Sequence, residues 1–350
     1  MTSFYLDVDG RRLLRHHDVE HELDLLLRDA RSRANGHVSV VSDLRRIEEY
    51  VKSGLDRSRT RGLAIFSCSA HDLWEVIPLP VPVQNRVVIN RVPAVGQLEA
   101  VLEGSEPMAV LLVDRQRARV FVFELGELTE RSELLDELPR DVDTRGAHDQ
   151  GDGASHVDAL KLQHLRRAAA AVFQVFQDRG FHHLTIAAPD EIRKELEGLL
   201  HPYLRARFCG RLDVAVNAPL DDIRSAAVEM EARVERRHEA AEVARLREAV
   251  ATSRRGVAGL GPLLDALNER RVERLLVSQS YADSGWHCGA CGQLALVGRM
   301  CKGCGAEMDE VGDIVEEAIE VALTQGCRVE ICVENPDLDV LGRIGALLRY

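Results

Sequence analysis

Two Cys-x-x-Cys pairs constrain this chain more than any other feature. They read Cys288-Gly-Ala-Cys291 and, nine residues later, Cys301-Lys-Gly-Cys304. Pairs this close have the spacing of a zinc ribbon, in which each pair sits on a tight knuckle and four thiolates close a tetrahedral Zn2+ site. Gly289, Gly292, Gly303 and Gly305 supply the small residues that such turns need. A redox dithiol would need one pair and not two. Four sulfur ligands leave no open position for a substrate water, so the motif argues for a structural Zn2+ and against metal catalysis.

The position of the ribbon is equally informative. Val272-Glu-Arg-Leu-Leu-Val277 before it reads as a short apolar strand. After it come an amphipathic helix, Ile314 to Leu323, and a second strand, Cys327-Arg-Val-Glu-Ile-Cys-Val333. An α/β pattern is interrupted and then resumes. The ribbon, 285–308, is therefore an insertion that projects from a larger domain and folds locally around its metal. Such a knob suits the binding of a macromolecule better than it suits chemistry.

At 350 residues the chain is long for one domain. A net charge of -12 excludes a polycation that coats nucleic acid, though a local basic patch can still bind phosphate. Of eight cysteines, Cys68, Cys209, Cys327 and Cys332 lie outside the ribbon in apolar, strand-like contexts and read as buried free thiols. That usage points to a reducing compartment, and a cytoplasmic protein is expected. No apolar run approaches the roughly 20 residues of a membrane span, and Met1 to Asp7 lacks the pattern of a signal peptide.

Periodicity divides the chain into three α/β domains. In 1–105, helices are expected over His21 to Ala34 and Val40 to Leu55, and strands over Gly62 to Ser67, Leu73 to Ile77 and Arg86 to Asn90. Pro78, Pro80 and Pro82 keep their stretch extended and out of a central ladder. In 106–250, a hairpin (Ala109 to Val113, Arg119 to Phe123) precedes a helix over His156 to Gln177. A strand over His183 to Ala188, a helix over Asp190 to Leu200 and a strand over Leu212 to Val216 follow. That order predicts a mixed sheet with helices packed on it. Residues 140–155 form a polar, glycine-bearing loop of a length that is either functional or disordered. From Pro219 a helical run continues to about Val250, and some 30 residues at 1.5 Å each give a strut of roughly 45 Å. The third domain, 251–350, carries the ribbon.

With these elements in place, the sequence resembles the bacterial branch of the archaeo-eukaryotic class-1 release factor and Pelota superfamily. The resemblance is carried by the long helix followed by Gly256-Val-Ala-Gly-Leu-Gly-Pro-Leu-Leu-Asp-Ala-Leu-Asn268 and the strand from Val272. The ribbon in its position and the ending Gly345-Ala-Leu-Leu-Arg-Tyr350 add to it. Phe4-Tyr-Leu-Asp7, Arg61-Gly-Leu-Ala-Ile-Phe66 and Leu73-Trp-Glu-Val76 are similar to the divergent N-terminal domain of the bacterial members. The resemblance implies a ribonuclease-H-like central domain and a C-terminal α/β/α sandwich of the kind found in kink-turn RNA-binding ribosomal proteins. It also implies work at the ribosomal A site, in contact with rRNA, as a monomer. Some bacterial members, Balon among them, occupy idle ribosomes as hibernation factors and are delivered by elongation factor Tu.

One departure from the family sets the functional expectation. Class-1 release factors hydrolyse peptidyl-tRNA through a Gly-Gly-Gln loop ahead of a long helix, which here falls within 140–155, and that tripeptide is missing. The nearest substitute is Gln150, followed by Gly151; a glutamine beside glycine can set a backbone N–H against an oxyanion and orient a water, or it is a solvated loop residue. Gly292-Gln293 lies inside a cysteine knuckle, and the stop-codon-reading signature is also missing. A non-enzymatic hibernation or stress factor is therefore expected, with elongation factor Tu or another translational GTPase as its delivering partner. The alternative is a ribosome-rescue peptidyl-tRNA hydrolase using Gln150. Lys161, His164, Arg166 and Arg167 are candidate RNA contacts where the helix leaves the loop, or an ordinary exposed helix face. A nuclease would need clustered carboxylates holding two metal ions; Asp114 stands alone and aspartate commonly starts turns. P-loop, dinucleotide, nucleophile-elbow and zincin motifs are missing.

Overall fold

The computed structural model describes residues 1–350 apart from 11, 35–36, 58–59, 104–105, 136–151, 253–254, 280 and 334. The chain divides into two compact units. One unites Met1–Glu103 with Arg236–Tyr350, and the other is Gly104–Glu235.

The N-terminal segment contains β1 (Thr2–Asp7), α1 (His16–Arg33), α2 (Val38–Lys52), β2 (Gly62–Cys68), β3 (Leu73–Leu79), β4 (Arg86–Ile89) and α3 (Gly96–Glu103). Its strands form an antiparallel sheet in the order β3-β2-β1-β4. The opening residues thus supply an inner strand. All six are buried, and alternation sorts them. Phe4 and Leu6 join Leu23, Leu27, Leu44 and Ile47 beneath α1 and α2, while Tyr5 meets Phe66 on the opposite face. Pro78 is tolerated because β3 lies at the sheet edge.

The second unit holds β5 (Met108–Val113), β6 (Arg117–Glu124), β7 (Glu127–Leu135), α4 (Asp152–Arg179), β8 (His183–Ala187), α5 (Asp190–Leu199), α6 (Pro202–Arg205) and β9 (Phe208–Arg211). The sheet order is β7-β6-β5-β8-β9, with an antiparallel meander on one side of β5 and parallel β8 and β9 on the other. Ala109, Leu111 and Val113 pack under α4 and α5. Met108, Val110 and Leu112 pack against Ile223, Ala227 and Met230 on the first half of α7 (Leu220–Ala251). The strand expected over Leu212 to Val216 is a correction. The ladder is made instead by Phe208–Arg211, and after the bond from Leu212 N–H to the Ile186 carbonyl the chain leaves the sheet. Leu212, Val214 and Val216 do alternate into the core. The Arg119 guanidinium, donating to the carbonyls of Val216 and Ala218, satisfies backbone that a strand partner would otherwise hold.

The second half of α7 buries Val243 and Leu246 against the C-terminal sheet of the first unit. That segment runs β10 (Gly256–Ala258), α8 (Leu260–Asn268), β11 (Val272–Ser278), the cysteine-bearing strands β12 (Gly285–His287), β13 (Leu294–Ala295) and β14 (Asp309–Val311), α9 (Ile314–Thr324), β15 (Arg328–Cys332), α10 (Pro336–Val340) and β16 (Ile344–Leu348). The sheet order is β10-β16-β11-β15, with β11 and β15 parallel. Helices α8 and α9 cover one face, α7 and α10 the other.

Charge ties the two ends of the chain together within this unit. Arg86, at the start of β4, donates to Asp313 at 2.5 Å and to Glu316 at 3.2 Å. Asn90 donates to the Asp313 carbonyl, and the Gly96 N–H donates to Glu316. Asp313 is also the N-cap of α9, accepting from the N–H groups of Val315 and Glu316. Burial pushes Glu316 up to about 6 although Arg86 opposes the shift. Among the described residues no helix is long and apolar enough to cross a membrane.

Candidate metal centre

The four cysteines converge. Their sulfur atoms all lie within 4.8 Å of one another, with Cys288 and Cys304 at 3.5 Å and Cys291 and Cys301 at 3.5 Å. Four sulfurs about 2.3 Å from one ion at tetrahedral corners would stand about 3.8 Å apart, so the spacing fits such an ion.

Local backbone explains the convergence. In the first knuckle Cys288 N–H donates to the Gln293 carbonyl and Gly292 N–H to the Cys288 carbonyl; in the second, Cys301 N–H donates to Ala306 and Gly305 N–H to Cys301. The two turns repeat one hydrogen-bond pattern. Each needs a left-handed residue after its second cysteine, and Gly292 (φ 77°) and Gly305 (φ 74°) provide it. The strands form a small antiparallel sheet, β13-β12-β14, with Trp286, Ala295 and Met308 packed around the buried Cys288 and Cys301.

The electrostatics also fit a bound cation. The backbone N–H groups of Cys291 and then Ala290 favour the thiolate of Cys288 and lower it. Those of Cys304 and Gly303 hold Cys301 down to about 6. At Cys291 the N–H of Gln293 pulls the same way but is outweighed by the neighbouring sulfurs, which push the thiol up to about 12. At Cys304 the N–H of Ala306 is likewise outweighed, by Cys288 foremost. Four titratable sulfurs this close compete for negative charge, so two thiols are lowered and two are raised. A divalent ion would remove that conflict.

The ribbon is rooted firmly. Asn268, ending α8, donates to the Leu294 carbonyl at 2.8 Å and accepts from Leu294 N–H at 2.9 Å. Any side chain at Gly285 would strike Ile314, so β12 lies hard against the start of α9. Arg91 bridges His287 Nδ1 (3.0 Å) and Asp309 (2.9 Å). Burial, reinforced by Arg91, lowers the His287 pKa, so the neutral ring accepts that bond. Sequence reasoning missed Asn268 and Arg91. A helix-terminal asparagine was the one available signal for the first; the second is paired 196 and 218 residues away.

The other expected site residues are scattered. Gln150 lies outside the described residues. Lys161 is tied to Glu195 (2.8 Å) and Asp158 (3.8 Å), which raises its pKa, the Glu195 hydrogen bond foremost. His164 is turned inward at 2% exposed, and Arg166 and Arg167 are exposed. The four therefore do not form one exposed face. Asp114 accepts from the N–H groups of Gln116 and Arg117, which makes it a turn residue, at the rim of an open cleft of about 740 Å3. In that cleft Asp213, like nearby Asp190, pairs with Arg211. Among the described residues the cysteines alone bring three or more histidine, cysteine or carboxylate ligand atoms together.

Against known proteins, residues 93–232 match the family model described as bacterial archaeo-eukaryotic release factor family 10. Across that segment the chain is similar to the bacterial branch of the archaeo-eukaryotic release factors. No curated protein matches the chain. Among solved structures it is similar to Pelota of Archaeoglobus fulgidus (17% identity, 83% of this chain and 79% of that one, TM-score 0.38). It is also similar to Dom34 of S. cerevisiae, a translation termination-like factor (10%, 83% and 79%, 0.43), and to the archaeal termination factor aRF1 (15%, 100% and 92%, 0.28). At these scores none of the three speaks to function.

Proposed function

We propose that this protein is a ribosome A-site-binding translation factor that works without peptidyl-tRNA hydrolysis, as a hibernation or stress factor. One observation carries the reading: a release-factor family match across 93–232, with no two glycines adjacent anywhere in the chain. The segment that would bear Gly-Gly-Gln is there and the catalytic tripeptide is not. The strand order β7-β6-β5-β8-β9, with its helices, supports a ribonuclease-H-like central body. The helices on both faces of the C-terminal sheet support the α/β/α reading of residues 251–350.

In this proposal Cys288, Cys291, Cys301 and Cys304 hold a structural Zn2+, which supplies shape and no chemistry. Arg166 and Arg167 are the exposed members of the basic set and would face rRNA. Elongation factor Tu, or another translational GTPase, would deliver the factor in the cytoplasm. Sucrose-gradient sedimentation of lysates tests the reading. Co-migration with 70S particles from starved cells, and not from growing ones, is expected. Absence from ribosomes in every state would overturn it. Labelled peptide released from stalled complexes, and abolished by Gln150→Ala, would replace it with the hydrolase.

A further inference from the structure

Five rings run in series through one end of the Gly104–Glu235 unit. Phe181, 2% exposed, meets Phe176 edge-on at 5.2 Å between centroids, and Phe176 lies 6.2 Å from Phe173. Phe173 stacks on His201 at 4.3 Å with the planes 27° apart, and His201 meets Tyr203 at 4.9 Å. The first three rings belong to the core under α4. The last is 61% exposed. A tyrosine that merely closed a core would be covered; this one reaches water at the end of the series. His201 Nδ1 accepts from the Tyr203 N–H, which fixes the turn that presents the ring.

Two arginines follow Tyr203 closely in the chain, and backbone carbonyls hold each of them. Arg207 lies 4.6 Å over the Phe176 ring and donates to the carbonyls of Phe181 (3.0 Å) and Tyr203 (2.9 Å). Arg205 donates to the carbonyls of Leu200 (2.9 Å) and Gly198 (2.9 Å). Neither has a carboxylate partner among the described residues. A guanidinium has five donors, so each retains N–H groups and a whole positive charge held in place by backbone.

We propose that this end of the unit docks an unpaired base of single-stranded RNA. The base stacks on Tyr203, and the adjoining phosphates meet Arg205 and Arg207. Aromatic faces take any base, and the arginine fork matches phosphate oxygens. Base-paired RNA offers no free face to stack, so duplex should bind less well. The inference deepens the ribosomal reading by naming a contact, and rests on it only for which RNA is met.

Fluorescence anisotropy of labelled oligo(U) and oligo(A) with the purified full-length protein tests it, without ribosomes. Binding at low salt is expected. Tyr203→Ala should weaken it about tenfold, and Tyr203→Phe should stay within about twofold. Arg205→Ala should weaken it several-fold and reduce the salt slope by about 0.7. The exposed position of Tyr203 keeps the alanine variant folded. Failure of the wild type to bind either oligonucleotide, equal affinity for Tyr203→Ala, or equal affinity for a duplex would each overturn the proposal. None of those results would alter sedimentation with 70S particles, so the two readings fail separately.

Discussion

The ribbon and the sheet beneath it solve the same problem with different means. The sheet β10-β16-β11-β15 is covered on both faces by helices and buries more than twenty apolar side chains, among them Leu263, Leu275 and Ile344. The ribbon has three short strands and a core of Cys288, Cys301 and Met308 with partial help from Trp286, Ala295 and Ala306. So small a cluster cannot offset the conformational entropy of some 25 ordered residues. The sheet holds together on apolar packing; the small cysteine-bearing sheet brings four sulfurs to where an ion would fit. Its independence is limited to its interior, because Asn268, Gly285 and Arg91 fasten its root to the larger body.

The largest expected effect comes from separating the two. Metal analysis should give one zinc per chain. Removing it by chelation, or introducing Cys301→Ser, should cost the ribbon on the order of 10 kcal/mol of folding free energy. Proteolytic cuts would then appear within 285–311 while hydrogen exchange at β11 and β16 stays slow. Loss of protection in both regions at once would break the comparison. Next in size, Leu275→Ala, at a fully buried site in β11, should destabilise the unit by about 2–5 kcal/mol in urea unfolding and leave zinc content unchanged.

A smaller effect depends on pH. Glu317 on α9 is 3% exposed, its Oε1 has no hydrogen-bond partner, and burial, then Glu320, push it up to about 7 against the pull of Arg91; Asp313 adds to the rise. The fold favours its neutral form. That contribution is fully present below the unfolded value of about 4.5 and is lost as pH rises through 7. Thermal unfolding at pH 4.5 and pH 8 should therefore find Glu317→Gln indistinguishable from wild type at the lower value and about 2 kcal/mol more stable at the higher. A stabilisation equal at both would show that packing, and not ionisation, is responsible. Smallest is Arg91→Ala. Its ion pair with Asp309 is exposed, so a loss of no more than about 1 kcal/mol is expected, with zinc retained.

What the sequence revealed follows the range of the interactions involved. The cysteine knuckles are local, four residues each, and their spacing alone identified all four converging sulfurs. Helices with clear apolar periodicity, such as α2 and α5, were placed within a few residues of their ends. β1 was overlooked because a fully buried strand at a chain end lacks flanking turn signals, and Phe4 to Asp7 carries little alternation of polarity. Leu212 to Val216 misled for the opposite reason: alternation was present but a ladder partner was not. The Arg86 latch was invisible, since its acceptors lie 227 and 230 residues away. The ring series escaped notice too, because Phe173, Phe181 and Tyr203 are separated in sequence and are linked only by the fold.

That latch also bears on how the protein is made. The first hundred residues have their own apolar interior and can settle early, but Arg86 then faces water until Asp313, 227 residues downstream, leaves the ribosome. At about 5–20 residues per second this lasts roughly ten to forty-five seconds. Through that interval each nascent chain carries a shaped, cationic socket whose plug does not yet exist. In a polysome, the plug of the chain ahead is finished first.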